Sequence, residues 1–362
     1  MNPHEAIDRD FPAHVERIRD FLRIPSVSAG DGDLRSTADA VCGLITLAGG
    51  RAEPREPGEK RPTVIGVIDG PGPTVLRYGM YDVQPVGAQW TVEPFAAELR
   101  DGNIVARGAA NSKGALAASV LAFASAPSPC RQVFVCEGEE ELGSARLHAF
   151  CEAHRDELTG DFGLDVDLQE QPGSVFAGVL GLYEIELTAG GGPDVHSSRV
   201  AEVPAPAIDL AKAVVAIKEA VPAANVSWMV AGTPEDVSRT VVAGTARAGI
   251  DLRFAEDGLL DRVRAAVPDG VRFELKGTYP PALADPGAPP ARALAEALRR
   301  HGTEPRVVPR APWWAPYHVF GGVPFASGGP GSAGGAHGPD EWAEVEGLRT
   351  LMHVIYDALA LL

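Results

Sequence analysis

Hydrophobic residues near the start of the chain recur at helical spacing. Phe11, Val15, Ile18, Phe21 and Leu22 fall on one face of a 3.6-residue period. The helix they predict stops at Ile24-Pro25, because proline disfavours helix in the residue before it. The pattern then changes to short apolar runs. Val64–Ile68, Val75–Tyr78 and Gln132–Cys136 read as strands, with an Ala-rich helix over Lys113–Ala124. Strands alternating with helices predict an α/β domain. In such sheets ligands bind beyond the carboxyl ends of strands. Met80, Asp82 and the acidic run Glu139, Glu140, Glu141 fall at those ends.

The segment 181–281 is patterned differently. Tyr183, Ile185 and Leu187 alternate within Leu182–Thr188, as in a half-buried strand. Helices over 205–220 and 257–266 and strands over 246–254 and 271–275 follow. This order, similar to β-α-β-β-α-β, predicts a small ferredoxin-like α+β unit inserted into the larger domain. The chain is thus divided into 1–180 with 282–362, and 181–281. The Pro-rich stretches 54–73 and 280–290 read as loops, the second as the return hinge. Val345, Leu348, Met352, Ile355 and Leu359 mark one face of a last helix.

A length of 362 residues suits two domains rather than one small core. The formal net charge of −17 argues against nucleic acid and anionic membranes as partners, since both are polyanions. No run of about 18 apolar residues is present, so no membrane span is expected. His4, Glu5, Asp8, Arg9 and Asp10 leave no apolar signal region, and a cytoplasmic location is expected. Cys42, Cys130, Cys136 and Cys151 contain no Cys-x-x-Cys pair and read as reduced, mostly buried thiols.

The candidate chemistry is concentrated in a few segments. Residues 76–85 read Leu-Arg-Tyr-Gly-Met-Tyr-Asp-Val-Gln-Pro, 105–114 read Val-Ala-Arg-Gly-Ala-Ala-Asn-Ser-Lys-Gly, and 137–144 read Glu-Gly-Glu-Glu-Glu-Leu-Gly-Ser. A row of glutamates can be a solvated charge run, but Gly138, Gly143 and Ser144 around it imply a sharp turn. Asp165 and Asp167 lie one pleat apart and face the same side of a predicted strand, and one of them can simply cap its end. His337 stands in Ala-Gly-Gly-Ala-His-Gly-Pro-Asp-Glu, and His196 in Pro-Asp-Val-His-Ser. Arg310 opens Arg-Ala-Pro-Trp-Trp-Ala-Pro-Tyr, a run with Trp313, Trp314 and Tyr317. Those aromatics are either core or dimer packing or the wall of a pocket for an aromatic, apolar or cationic group. His148 and His318 carry no spacing signal.

In that order these segments resemble the dinuclear zinc peptidases of the M20 family, over nearly the whole chain. The resemblance implies a zinc-peptidase-like α/β catalytic domain with an inserted lid and dimerisation domain, and a homodimer formed through that lid. Carried over by position, Glu140 is the general base, and Glu141, Asp167 and His337 are metal ligands. Asp82 is the residue that orients the first ligand, and His196 stabilises the oxyanion in the partner subunit's site. The sequence departs from the family where it has Met80 in place of a ligating His and Asn111 in place of the bridging Asp. It also departs where the aromatic run replaces a loop that grips the substrate's carboxylate, which leaves Arg310 for that role.

Thioether and neutral amide are poor ligands for Zn²⁺. Two metal ions about 3.5–4 Å apart need a bridging carboxylate, which Asn111 cannot supply. The expectation is a hydrolase of an amide or peptide bond in a small substrate, with one divalent ion such as Zn²⁺ or none. The alternatives are a metal-independent enzyme reusing the cleft for condensation, cyclisation or elimination, and a non-catalytic binding homologue.

Overall fold

The computed structural model describes residues 2–56, 58–201, 203–232, 240–255, 258–317 and 322–362. The chain forms two compact units. One comprises Met1–Gly178, Leu283–Ala311 and Ala315–Leu362, and the other Val179–Ala282 with Pro312–Trp314.

The first unit is built on an eight-stranded mixed sheet. Its order is Arg51–Pro54, Val64–Ile68, Arg131–Glu137, Thr74–Met80, Phe162–Val166, Phe325–Gly328, Ser174–Phe176, Arg306–Val308. Arg131–Glu137, Thr74–Met80, Phe162–Val166 and Phe325–Gly328 run parallel in the middle. These strands are mostly apolar and buried on both faces, as in a sheet covered by helices. The strand expected over Val75–Tyr78 extends from Thr74 to Met80, so Met80 is its last residue. Helix Lys113–Ser125 is buried on nearly all sides and packs against Pro3–Leu22 and Val345–Ala360. Its small alanines allow that close approach. The helix Arg35–Leu47 goes beyond the sequence reading, although Ala38, Val41 and Ile45 are buried at helical spacing.

A small four-stranded sheet flanks this core. There Trp342–Glu344 pairs antiparallel with Asn103–Val105, Trp342 opposite Val105. That register brings Glu341 beside the loop that follows Val105.

The second unit is an antiparallel sheet ordered Asn225–Ala231, Thr245–Phe254, Gly181–Gly190, Val271–Tyr279. Helices Pro206–Ala220 and Leu259–Ala266 share a core with it through Leu210, Ile217, Val263, Ile185, Leu187, Ile250 and Leu252. This is the expected β-α-β-β-α-β order. The strand Asn225–Ala231 goes beyond the sequence reading, and several element bounds differ from it. The last strand runs four residues further, to Tyr279. The second helix starts at Leu259, the expected start at Asp257 lying outside the described residues. Among the described residues no helix is long and apolar enough to cross a membrane.

Candidate active site

Three adjacent parallel strands end at Met80, Glu137 and Val166. The residues that follow them, Asp82, Glu140, Glu141 and Asp167, therefore gather at one edge of the sheet, where open α/β sheets bind ligands. Met80 itself is buried.

Asp82 is fully buried. Its carboxylate accepts hydrogen bonds from the backbone N–H of Glu140 (3.2 Å) and of Glu141 (3.1 Å). It thereby holds the short 3-10 turn Glu140–Leu142 in place. Burial pushes its pKa up to about 7, against the pull of those hydrogen bonds. The turn begins on Gly138 because a Cβ there would lie 2.6 Å from the Tyr81 ring.

The three glutamates of the acidic run have separate surroundings. Glu139 is held by Arg146 (2.8 Å) and faces Arg61 (3.6 Å). Glu140 is half-buried at the start of the turn. Glu141 points inward, its side chain 5% exposed. One of its oxygens accepts from Asn111 Nδ2 at 3.0 Å and the other from Gln84 Nε2 at 2.8 Å.

Asn111 is the hub of the arrangement. Its Nδ2 also lies 2.9 Å from His337 Nε2, and His337 Nε2 lies 3.3 Å from Glu141 Oε1. Its Oδ1 accepts from the Ser112 hydroxyl (3.2 Å), which in turn contacts Asp167 Oδ2 at 2.7 Å. An amide NH₂ has two hydrogens, and here one faces the carboxylate and the other the imidazole. Neutral His337 then carries its proton on Nδ1, an assignment that follows from its partners. Glu141 holds the His337 pKa above its ordinary value through their hydrogen bond. On protonation, Nε2 can donate to Glu141 Oε1, 3.3 Å away. His337 adopts a left-handed backbone, φ 65°, a conformation that costs about 1–2 kcal/mol for a residue with a Cβ.

The loop that carries Asn111 is fixed from beneath by Glu341, which is fully buried. Glu341 accepts from Arg107 Nη1 (2.7 Å) and from the backbone N–H of Gly108 (3.1 Å), Ala110 (2.9 Å) and Asn111 (2.8 Å). Lys113, also fully buried, donates to the Ile24 carbonyl at 2.7 Å and lies 4.7 Å from the Phe21 ring. Burial lowers its pKa to about 7.

Asp167 is pushed up to about 8 by burial and by the neighbouring Asp165. Asp165 accepts a hydrogen bond from the buried Tyr317 hydroxyl. Tyr317 therefore packs inside the first unit, edge-on to Tyr78 at 5.8 Å. Trp314 is buried against Tyr279 in the second unit, ring centres 4.8 Å apart, while Trp313 is half-buried. Arg310 and His148 are exposed, and His318 lies outside the described residues. His196 is exposed in the second unit, its Nδ1 3.0 Å from the Ser198 hydroxyl.

The sequence reading thus names Asp82, Glu141, Asn111 and His337, which the fold joins through hydrogen bonds. It assigns nothing to Gln84, Ser112 or Glu341. Gln84 stands two residues after Asp82, and Glu341 closes the His337 motif, so both lay within the segments singled out.

The sequence model of peptidase family M20/M25/M40 matches residues 77–361. Over 117 residues the chain is 34% identical to succinyl-diaminopimelate desuccinylase of Rhodospirillum centenum, covering 32% of this chain and 30% of that protein. Over 151 residues it is 30% identical to the Sphingopyxis alaskensis enzyme of the same name, covering 39% of each. These matches span about a third of the relatives' own length. The fold is similar to that of an M20 family metallo-carboxypeptidase from Sulfolobus solfataricus, with TM-score 0.83, 24% identity and coverage of 96% of this chain and 98% of that one. It is also similar to human carnosine dipeptidase 1, with TM-score 0.80, 17% identity and coverage of 99% and 98%.

Proposed function

The chain belongs to peptidase family M20/M25/M40, and we propose that it hydrolyses an amide or peptide bond in a small substrate with at most one divalent ion in its cleft. The observation that carries this reading is the triangle of Asn111 Nδ2, Glu141 Oε1 and His337 Nε2, with edges of 3.0, 2.9 and 3.3 Å. Zinc ligands at about 2.0–2.1 Å in a tetrahedron stand roughly 3.3 Å apart. With the Asn111 amide turned over, its carbonyl oxygen, the Glu141 carboxylate and the His337 imidazole would be the three protein donors to such an ion. A second ion does not fit, because Met80 and Asn111 provide neither a second imidazole nor a bridging carboxylate.

Glu141, His337 and Asn111 would hold the ion, which when bound supplies Lewis acidity. Asp167, the expected third protein ligand, is separated from Asn111 by the Ser112 hydroxyl and takes the place behind it. Glu140 takes a proton from the attacking water and returns one to the leaving amine. Asp82 keeps Glu140 and Glu141 in register through their backbone N–H groups. Arg310 grips a substrate carboxylate, while Tyr317 serves as packing within the first unit and Trp313 and Trp314 belong to the second. His196 acts on the oxyanion in a partner copy's cleft. A homodimer through the second unit is supported by its edge strand, where Trp228 is 43% and Met229 46% exposed. The helix Pro206–Ala220 adds exposed Ile208 and Val215.

The test is turnover of a panel of dipeptides and N-acyl amino acids. Activity should vanish with chelator and return with zinc. Glu140→Gln should lower kcat by about 10²–10⁴-fold with KM little changed. Undiminished turnover in Glu140→Gln would overturn the assignment. One observation favours a second reading. Both Glu141 oxygens are already satisfied by amide N–H groups, a state that needs no cation. Full turnover by zinc-free protein would establish metal-independent hydrolysis, and no hydrolysis with or without zinc would direct the search to condensation, cyclisation or elimination. Ligand binding with no turnover would make the chain a binding homologue.

A further inference from the structure

A second gathering of histidines lies outside this cleft, within the first unit, where three helices meet. His4 sits in the first turn of Pro3–Leu22, His301 caps the C-terminus of Pro289–Arg300, and His353 and Asp357 lie one turn apart on Val345–Ala360. His4 Nε2 is 3.0 Å from Asp357 Oδ1, and His301 Nε2 is 3.0 Å from Asp357 Oδ2. One ligand atom from each of His4, His301 and Asp357 falls within 4.8 Å of the others.

The neighbours determine which nitrogens carry hydrogen. Asp8 Oδ1 accepts from Arg349 (2.7 Å) and lies 2.9 Å from His353 Nε2. A carboxylate only accepts, so His353 carries its hydrogen on Nε2 and its Nδ1 is an acceptor. His353 Nδ1 lies 2.8 Å from His4 Nδ1, which must then be the donor. Neutral His4 is left with a lone pair on Nε2, aimed at a carboxylate oxygen 3.0 Å away. Two acceptors at that distance need either a proton or a metal ion between them. The chain Asp8–His353–His4 is also the arrangement by which a carboxylate and a hydrogen-bond relay fix the tautomer and ring orientation of a metal-ligating imidazole.

We propose that His4, His301 and Asp357 form a divalent-metal site of the zinc class, distinct from the cleft, with His353 and Asp8 as positioning residues. Two imidazoles and a carboxylate are a zinc-type donor set. Asp357 is 12%, His301 20% and His4 31% exposed at the side chain, which leaves the His4 side open for water to complete the coordination. Bound metal would tie the first turn of Pro3–Leu22 to the other two helices. The site does not depend on the function proposed for the cleft.

The experiment uses the tag-free chain with the cleft silenced by Glu141→Gln and His337→Ala, stripped with chelator and titrated with Zn²⁺ by calorimetry. One equivalent should bind, and zinc should raise the melting temperature. Adding His4→Ala should abolish both effects. Adding Asp8→Asn instead should weaken affinity about 10–100-fold at unchanged stoichiometry. Should His4→Ala fail to fold, His301→Ala reads the same loss. No zinc uptake by the cleft-silenced chain would overturn the proposal and assign the gap beside His4 to a proton. One equivalent retained in folded His4→Ala or His301→Ala would overturn it as well.

Discussion

The cleft and the three-helix cluster both bring imidazole and carboxylate to about 3 Å, but they differ in what stands between. In the cleft the NH₂ of Asn111 faces Glu141 and His337 together, so two acceptors meet around a neutral donor. In the cluster His4 and His301 meet Asp357 directly. The amide donor lets the cleft constellation stand with or without a metal ion, whereas the His4–Asp357 contact needs a proton or a metal ion to join it. The residue that occupies the middle of a constellation therefore decides its chemistry as much as the residues around it.

The comparison breaks hardest at Glu341. Glu341→Gln replaces one acceptor oxygen by an NH₂ that must face a backbone donor or Arg107, with both partners of the ion pair at most 2% exposed. Breaking such a pair costs about 3–5 kcal/mol, read as a lower urea midpoint, and the Asn111 loop should lose its position. Zinc uptake by the three-helix cluster should survive under native conditions.

Asn111→Asp sharpens the contrast. It removes the central donor and places a carboxylate beside Glu141 and His337. Zinc affinity of the cleft should rise by at least about tenfold, about 1.4 kcal/mol, measured in a His4→Ala, His301→Ala background. An unchanged affinity would mean that the amide carbonyl already serves as well as a carboxylate.

A smaller effect concerns pH. Glu137 is buried under the turn, accepting from Tyr78 (2.8 Å) and Ser144 (2.7 Å), and burial raises its pKa to about 8 from 4.5. Between those values the folded chain holds a proton there that the unfolded chain has released. Its contribution is full below about pH 4.5 and is lost as pH rises through 8. Glu137→Gln keeps an acceptor for both hydroxyls and has no proton to lose. The variant should gain stability relative to the parent as pH goes from 5 to 8.5, seen in paired urea midpoints. A constant difference would show that Glu137 is ionised in the fold.

Much of the cleft was legible because strand ends are legible. The apolar runs stop near Tyr78 and Cys136, and the polar residues just beyond them could only fall at one edge of the sheet. The resemblance casts Asp82 as the residue that orients a ligand, and the fold gives it two backbone N–H groups instead. The role of Glu341 was not legible, because it depends on the register of two three-residue strands. The three-helix cluster was invisible for a similar reason. His4 and Asp357 are 353 positions apart, and each alone looks like an ordinary polar residue on a helix.

The Glu341 clamp also sets an order of events during synthesis. Ala110 is made 231 residues before the carboxylate that holds it. At about 5–20 residues per second the interval is roughly 10–50 s. The central sheet waits as well, since Phe325–Gly328 inserts between Phe162–Val166 and Ser174–Phe176. For that time the loop bearing Asn111 has its backbone donors in water and its sheet edge open, while the second unit, whose segments are all earlier except for Pro312–Trp314, can already fold. A ribosome stalled before residue 325 would thus display a nearly finished second unit attached to a cleft that has not yet come into being.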